Sequence, residues 1–185
     1  MEGYSLDRYI ADCSDLVRAG GDHQEAAADA AMLLWRLLNT EGTILRPEHL
    51  RSDPKHFSHN EVYISSERSF ALHALVWAPG QWTEIHNHGD WGVSGILFGA
   101  LEEQRYRLEG DGDEAKLVKH GLNIMSEGSV ACFGPDDDII HRLGVPEERE
   151  PVVAISLTGI RGQGHYVYDP ATGHKQFRPG SLFDT

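Results

Sequence analysis

A mainly β chain, closed as a barrel or sandwich behind an N-terminal helical hairpin, is the architecture this sequence predicts. Three observations predict it. Helical spacing of apolar residues is confined to the N-terminal part, the chain beyond Pro47 breaks into short β-rich runs, and no long helical pattern separates those runs. At 185 residues and 40% apolar composition the chain fits one hydrophobic core. A single domain over 1–185 is therefore expected, with helices in 1–45 and the barrel in 60–178.

The helices come first. Leu6, Tyr9, Ile10, Cys13, Leu16 and Val17 fall on one helical face, and Ala27, Ala30, Ala31, Leu34, Trp35 and Leu38 on another. Gly20 and Gly21 stop the first helix, and Asp22 followed by Glu25 reads as a capping-box start for the second. Such a hairpin is expected to cover one end or face of the barrel and to take no part in chemistry.

The β-rich runs follow. Strands are expected over Glu61 to Ser65, Phe70 to Trp77, Thr83 to His88, Gly92 to Phe98 and Leu101 to Leu108. Lys116 to His120, Gly128 to Phe133, Ile140 to Val145, Val152 to Gly159 and His165 to Tyr168 complete the set. Gly110 and Gly112 supply positive φ at a hairpin tip.

Composition excludes several function classes. With 16 basic against 29 acidic residues the formal charge is −13, so a nucleic acid would meet repulsion instead of counterion-releasing contacts. No apolar run approaches the roughly 20 residues of a membrane span, and the N-terminal segment MEGYSLDRYI lacks the basic and apolar regions of a secretory signal. A cytoplasmic protein is expected, as a monomer or small homo-oligomer. Cys13 and Cys132 are too few for a disulfide framework and are expected as buried thiols.

The residues able to carry chemistry centre on His86-Asn87-His88. With 11 histidines in 185 residues, chance alone supplies close to one such pair, so context decides its meaning. On a strand, residues i and i+2 share a face, and two imidazoles in that relation can chelate one ion. The other histidines, His165 among them, lack comparable spacing and are expected to be structural or solvated.

Gly80, His86, His88 and Gly99 resemble the first motif of the cupins, and Gly128, Pro135 and His141 resemble the second. The usual cupin glutamate after the histidine pair is absent, its place held by Gly92. The remaining three-histidine pattern resembles the thiol dioxygenases, which include cysteine dioxygenase and the bacterial mercaptopropionate dioxygenases. WAPGQWTEIHNHGDWGVSGILFGALE, HRLGVP and VYDPATG are similar to the bacterial branch. The resemblance implies a cupin double-stranded β-helix and a metal on His86, His88 and His141. Iron(II) is the implied ion, with zinc, manganese or nickel as alternatives. Three neutral imidazoles leave such an ion its full charge and open positions for an anionic thiolate and O₂. The implied reaction is oxidation of a small thiol to a sulfinic acid.

Two departures from that family bear on the chemistry. Its Ser-x-His-x-Tyr outer-shell run corresponds here to Ser156, Thr158 and Ile160. Ser156 and Thr158 thus stand as candidate catalytic positions, while isoleucine cannot donate a hydrogen bond. The family's substrate-anchoring Arg or Gln corresponds to a place near Asn60, which holds a carboxylate without a charged pair. Asn60, Arg161 and Tyr168 are the candidate substrate contacts, with Arg105, Arg107, Arg142 and Tyr166 as further replacements. The competing readings are a cupin enzyme of other chemistry (carbon-skeleton cleavage with O₂, isomerisation or hydrolysis) and a metal-dependent binding protein without turnover.

Overall fold

The computed structural model describes residues 3–110, 115–135, 139–160 and 164–180. Helices α1 (Leu6–Ala19) and α2 (His23–Leu38) form the expected hairpin, broken at Gly20 and Gly21, both at positive φ. The Ser5 hydroxyl accepts from the Arg8 amide at 3.2 Å and the Asp22 carboxylate from the Gln24 amide at 3.0 Å, so each helix has a side-chain N-cap.

Among the described residues eleven strands follow: β1 (Ser58–Ile64), β2 (Phe70–Trp77), β3 (Ile85–His86), β4 (Gly92–Phe98), β5 (Ala100–Glu109), β6 (Lys116–Ser126), β7 (Val130–Phe133), β8 (Ile140–Gly144), β9 (Val152–Gly159), β10 (His165–Tyr168) and β11 (Lys175–Arg178). They pair antiparallel in two sheets, ordered β1-β2-β9-β4-β7 and β11-β10-β3-β8-β5-β6. From β2 to β5 and from β6 to β10 successive strands alternate between the sheets, which wind around one interior as a double-stranded β-helix.

Alternation along the five-stranded sheet divides its residues cleanly. Leu72, Ala74, Val93, Ile155 and Leu157 face outward into a core shared with Tyr9, Cys13, Leu34 and Leu37 of the helices. A Cβ at Gly95 would press on the side chains of Leu34 and Leu38, so the absent side chain lets α2 lie close against β4. The intervening residues, Leu75, Trp77, Ser94, Ala131, Phe133 and Ser156, line a cavity inside the barrel.

Several elements differ from expectation. β3 bonds over two residues instead of six, β6 runs on to Ser126, and β11 was not anticipated. Cys13 is buried as expected, but Cys132 is exposed, its thiol 3.4 Å from the Ala27 carbonyl of α2. Gly112, at the expected hairpin tip, lies outside the described residues. Among the described residues no helix is long and apolar enough to cross a membrane.

Candidate metal centre

His86 on β3 and His141 on β8 are directly paired, so their side chains leave the six-stranded sheet on the same face. His88 lies two residues past His86, beyond the end of the bonded strand, and Asn87 between them points away. The Asn87 carboxamide oxygen accepts from the Tyr166 amide at 2.7 Å, and the Asn87 amide donates to the Tyr166 carbonyl at 3.1 Å. On the other side of His86, the Thr83 hydroxyl accepts from the Leu143 amide at 2.9 Å. Both flanks of the histidine pair are thereby tied to neighbouring strands.

The three imidazoles converge. One nitrogen from each of His86, His88 and His141 lies within 4.8 Å of the others, and all three residues are buried. The Nε2 atoms of His88 and His141 stand 3.3 Å apart, the separation left by two ligands at bonds of about 2.1 Å to one ion. The backs of two rings are held. His86 Nδ1 meets the Glu84 carbonyl at 2.8 Å, and His141 Nδ1 meets Glu103 Oε1 at 2.8 Å. Both contacts turn Nε2 towards the shared centre.

Electrostatics suits a cation there. Burial, reinforced by His141, pushes the His86 imidazole down to about 3, and burial together with its neighbouring histidines holds His88 well below the usual range. Neutral imidazoles offer lone pairs at physiological pH. Burial alone would raise the Glu103 carboxyl, yet the His141 hydrogen bond and Arg105 outweigh it and hold the group at about 2. Its second oxygen accepts from Arg105 Nε at 3.0 Å and Asn123 Nδ2 at 3.4 Å.

A carboxylate ligand from position 92 is excluded by packing. A Cβ on Gly92 would collide with the Phe133 ring and lie 2.7 Å from the Leu157 carbonyl. That ring stacks on His88 with centroids 4.2 Å apart. The residues present therefore fit a cation held by three imidazoles, with Glu103 acting on the centre through His141.

The centre opens on a cavity of about 100 Å³. Phe57, Leu75, Trp77, Met125 and Leu143 supply apolar wall, with Ser94, Ser156, Glu103, Arg105 and Asn123 as polar points. Ser156 is here, its hydroxyl 2.8 Å from that of Ser94. Thr158 is buried beside His88 around a separate small void. Asn60 does not line the cavity; its amide nitrogen donates to the Arg51 carbonyl at 2.9 Å and fastens β1. Tyr168 lines an outer groove with Arg142 and Arg178, and Ile160 lies under the α1–α2 turn. Arg161 lies outside the described residues. Of the other replacements, only Arg105 reaches the cavity wall; Arg107 pairs with Glu109, Arg142 stacks over Trp82, and Lys175 sits over the Tyr166 ring.

Glu103 is the functional residue that sequence reasoning missed. The signal was the run Leu101, Glu103, Arg105, which places opposite charges two apart on one strand face. Glu102, Gln104 and Tyr106 are as polar, so alternation did not say which face looked inward.

No protein-family model matches the chain. Among solved structures, an uncharacterized conserved protein with a double-stranded β-helix domain from Klebsiella pneumoniae is similar at 16% identity and a TM-score of 0.47, over 76% of this chain and 93% of that one. The Cupin_2 domain of an XRE-family transcriptional regulator from Enterobacter cloacae is similar at 18% identity and a TM-score of 0.40, over 56% of this chain and 96% of that one. An oxalate oxidase is similar at 14% identity and a TM-score of 0.42, over 62% of this chain and 56% of that one. At these scores the likenesses decide nothing about chemistry, which rests on the side chains themselves.

Proposed function

We propose that this protein is a metal-dependent cupin oxygenase that binds iron(II) on His86, His88 and His141 and oxidises a small thiol to a sulfinic acid. The observation that carries the reading is the ligand set: three buried, converging imidazoles, of which burial keeps His86 and His88 neutral, with the Phe133 ring in the space a side chain at position 92 would need. Such a centre keeps the ion's full charge, which favours an anionic thiolate.

Bound iron(II) supplies the redox chemistry with O₂. The reaction balances without another reductant, since both oxygen atoms of O₂ go to sulfur, which loses the four electrons that O₂ gains. The chain's own residues do the positioning. Glu103 accepts a hydrogen bond from His141 Nδ1–H and fixes that ring, and the apolar wall formed by Leu75, Trp77, Met125 and Leu143 keeps water from the sulfur. Arg105 and Asn123 present donors to the polar end of a substrate, and the Ser94–Ser156 hydroxyl pair offers a further contact.

A second reading is favoured by one observation: among the described residues no tyrosine lines the cavity. A cupin enzyme acting on non-thiols through zinc, manganese or nickel, or a metal-dependent binding protein, needs no such hydroxyl. Metal analysis of anaerobically purified protein, followed by O₂ uptake with a panel of small thiols after iron(II) loading, separates the readings. Near-stoichiometric iron with thiol-dependent uptake and a sulfinate product is expected. Bound metal with no uptake above an iron-only blank would move the function to the second reading.

A further inference from the structure

We propose that a small void beside His88 is a site for one water molecule, through which Thr158 positions the His88 imidazole for the ion. The inference rests on the three-histidine centre described above. A histidine that ligates through Nε2 carries its proton on Nδ1, and that N–H needs an acceptor. His86 has the Glu84 carbonyl and His141 has Glu103. His88 Nδ1 is buried and meets no acceptor among the described residues.

Two other buried polar atoms share its situation nearby, Thr158 Oγ1 and His165 Nδ1. The three residues carrying these atoms wall one void of about 10 Å³, close to the smallest space that admits a single water. A water there accepts from His88 Nδ1–H and donates to Thr158 Oγ1 and His165 Nδ1, which is the number of partners a buried water ordinarily has. The void is also lined by the buried Asp90, by Phe133 and by glycines at 89, 164 and 180. A Cβ at Gly89 would overlap the Gly164 carbonyl, and one at Gly164 would lie 2.5 Å from the Arg178 carbonyl. Neither glycine leaves room for a side chain in that part of the wall.

Thr158 is on this account a positioning residue that never touches the ion. Its place on β9, opposite Gly92 and two residues from Ser156, puts its hydroxyl behind the ring that Phe133 stacks against. Thr158→Val keeps the side chain's shape and deletes the hydroxyl; Thr158→Ser keeps the hydroxyl. Cobalt(II) titrated into metal-free protein and followed by its visible absorption reads affinity and ligand geometry together. Wild type and Thr158→Ser should bind alike, while Thr158→Val should bind roughly 10-fold or more weakly with an altered absorption band. The urea midpoint of each metal-free variant checks that it is folded. Thr158→Val binding as tightly as wild type, with His88→Ala failing to bind, would overturn the water link and leave the centre standing. Wild type and His88→Ala binding equally weakly would overturn the centre itself and this inference with it. Should Thr158→Val fail to fold, a high-resolution structure of wild type decides, since an empty void between His88 Nδ1 and Thr158 Oγ1 is incompatible with the proposal.

Discussion

His141 shows how single contacts shape the centre, because its two ring nitrogens have opposite duties. Nδ1 is tied to a carboxylate that Arg105 also neutralises, and Nε2 faces the other imidazoles. His86 carries the clearest pH consequence. Its imidazole is held at about 3 in the folded protein, against about 6.5 in an unfolded chain. Between those values the unfolded state takes up a proton that the folded state refuses, so falling pH favours unfolding. Metal-free protein should lose stability as pH drops from about 6.5 towards 3, and His86→Gln should make that decline shallower. Urea unfolding at stepped pH measures both slopes, and parallel slopes for the two proteins would contradict the burial of a neutral His86.

Among the elements, α2 is structural and its failure should spare the centre. Leu34 is fully buried between the helices and the outer face of the five-stranded sheet, so Leu34→Ala should cost about 2–5 kcal/mol. Cobalt(II) affinity of the variant, measured where it remains folded, should match wild type because the imidazoles sit across the sheet from that core. A loss of affinity parallel to the loss of stability would show instead that the hairpin braces the site. The helices were legible in sequence through their periodicity and glycine stop, and β2, β4, β9 and β10 as short β-rich runs bounded by turn residues. β3 was overdrawn because its flanks are fastened by the Thr83 hydroxyl and the Asn87 carboxamide, side-chain bonds that do not extend the ladder. β6 was cut short at Gly121, although a bulge that leaves His120 of β6 unpaired, opposite Arg105 and Tyr106 of β5, lets pairing continue past it. β11 exposes all four of its residues, so no apolar alternation marked it. At the site, His86 and His88 announced themselves by spacing and His141 only by resemblance. The Glu103–His141 contact depends on register between distant strands, which one sequence does not display.

For the whole molecule, the net charge of −13 opposes the local charge of a bound ion. Long-range repulsion slows approach of an anion, whereas contact at the ion inside the barrel is less screened. Raising non-coordinating salt from 0.01 to 0.15 M shortens the Debye length from about 30 to about 8 Å. The association rate of azide with cobalt-loaded protein should therefore rise with salt, as stopped-flow absorption would register, and a falling rate would mean that a positive funnel dominates the approach. Part of the cavity wall comes from the end strands of the two sheets. Asn123 and Met125 come from β6, the last strand of one sheet, and Ala131, Cys132 and Phe133 from β7, the last of the other. His86 and His141, by contrast, sit on interior strands bonded on both sides. Inheritance can act on these two groups separately: mutations accumulating along the terminal strands can retune which molecule is accepted, while the ion-holding pair stays fixed by its neighbours. Such a division lets one ancestral barrel give rise to descendants that share a reaction and differ in diet.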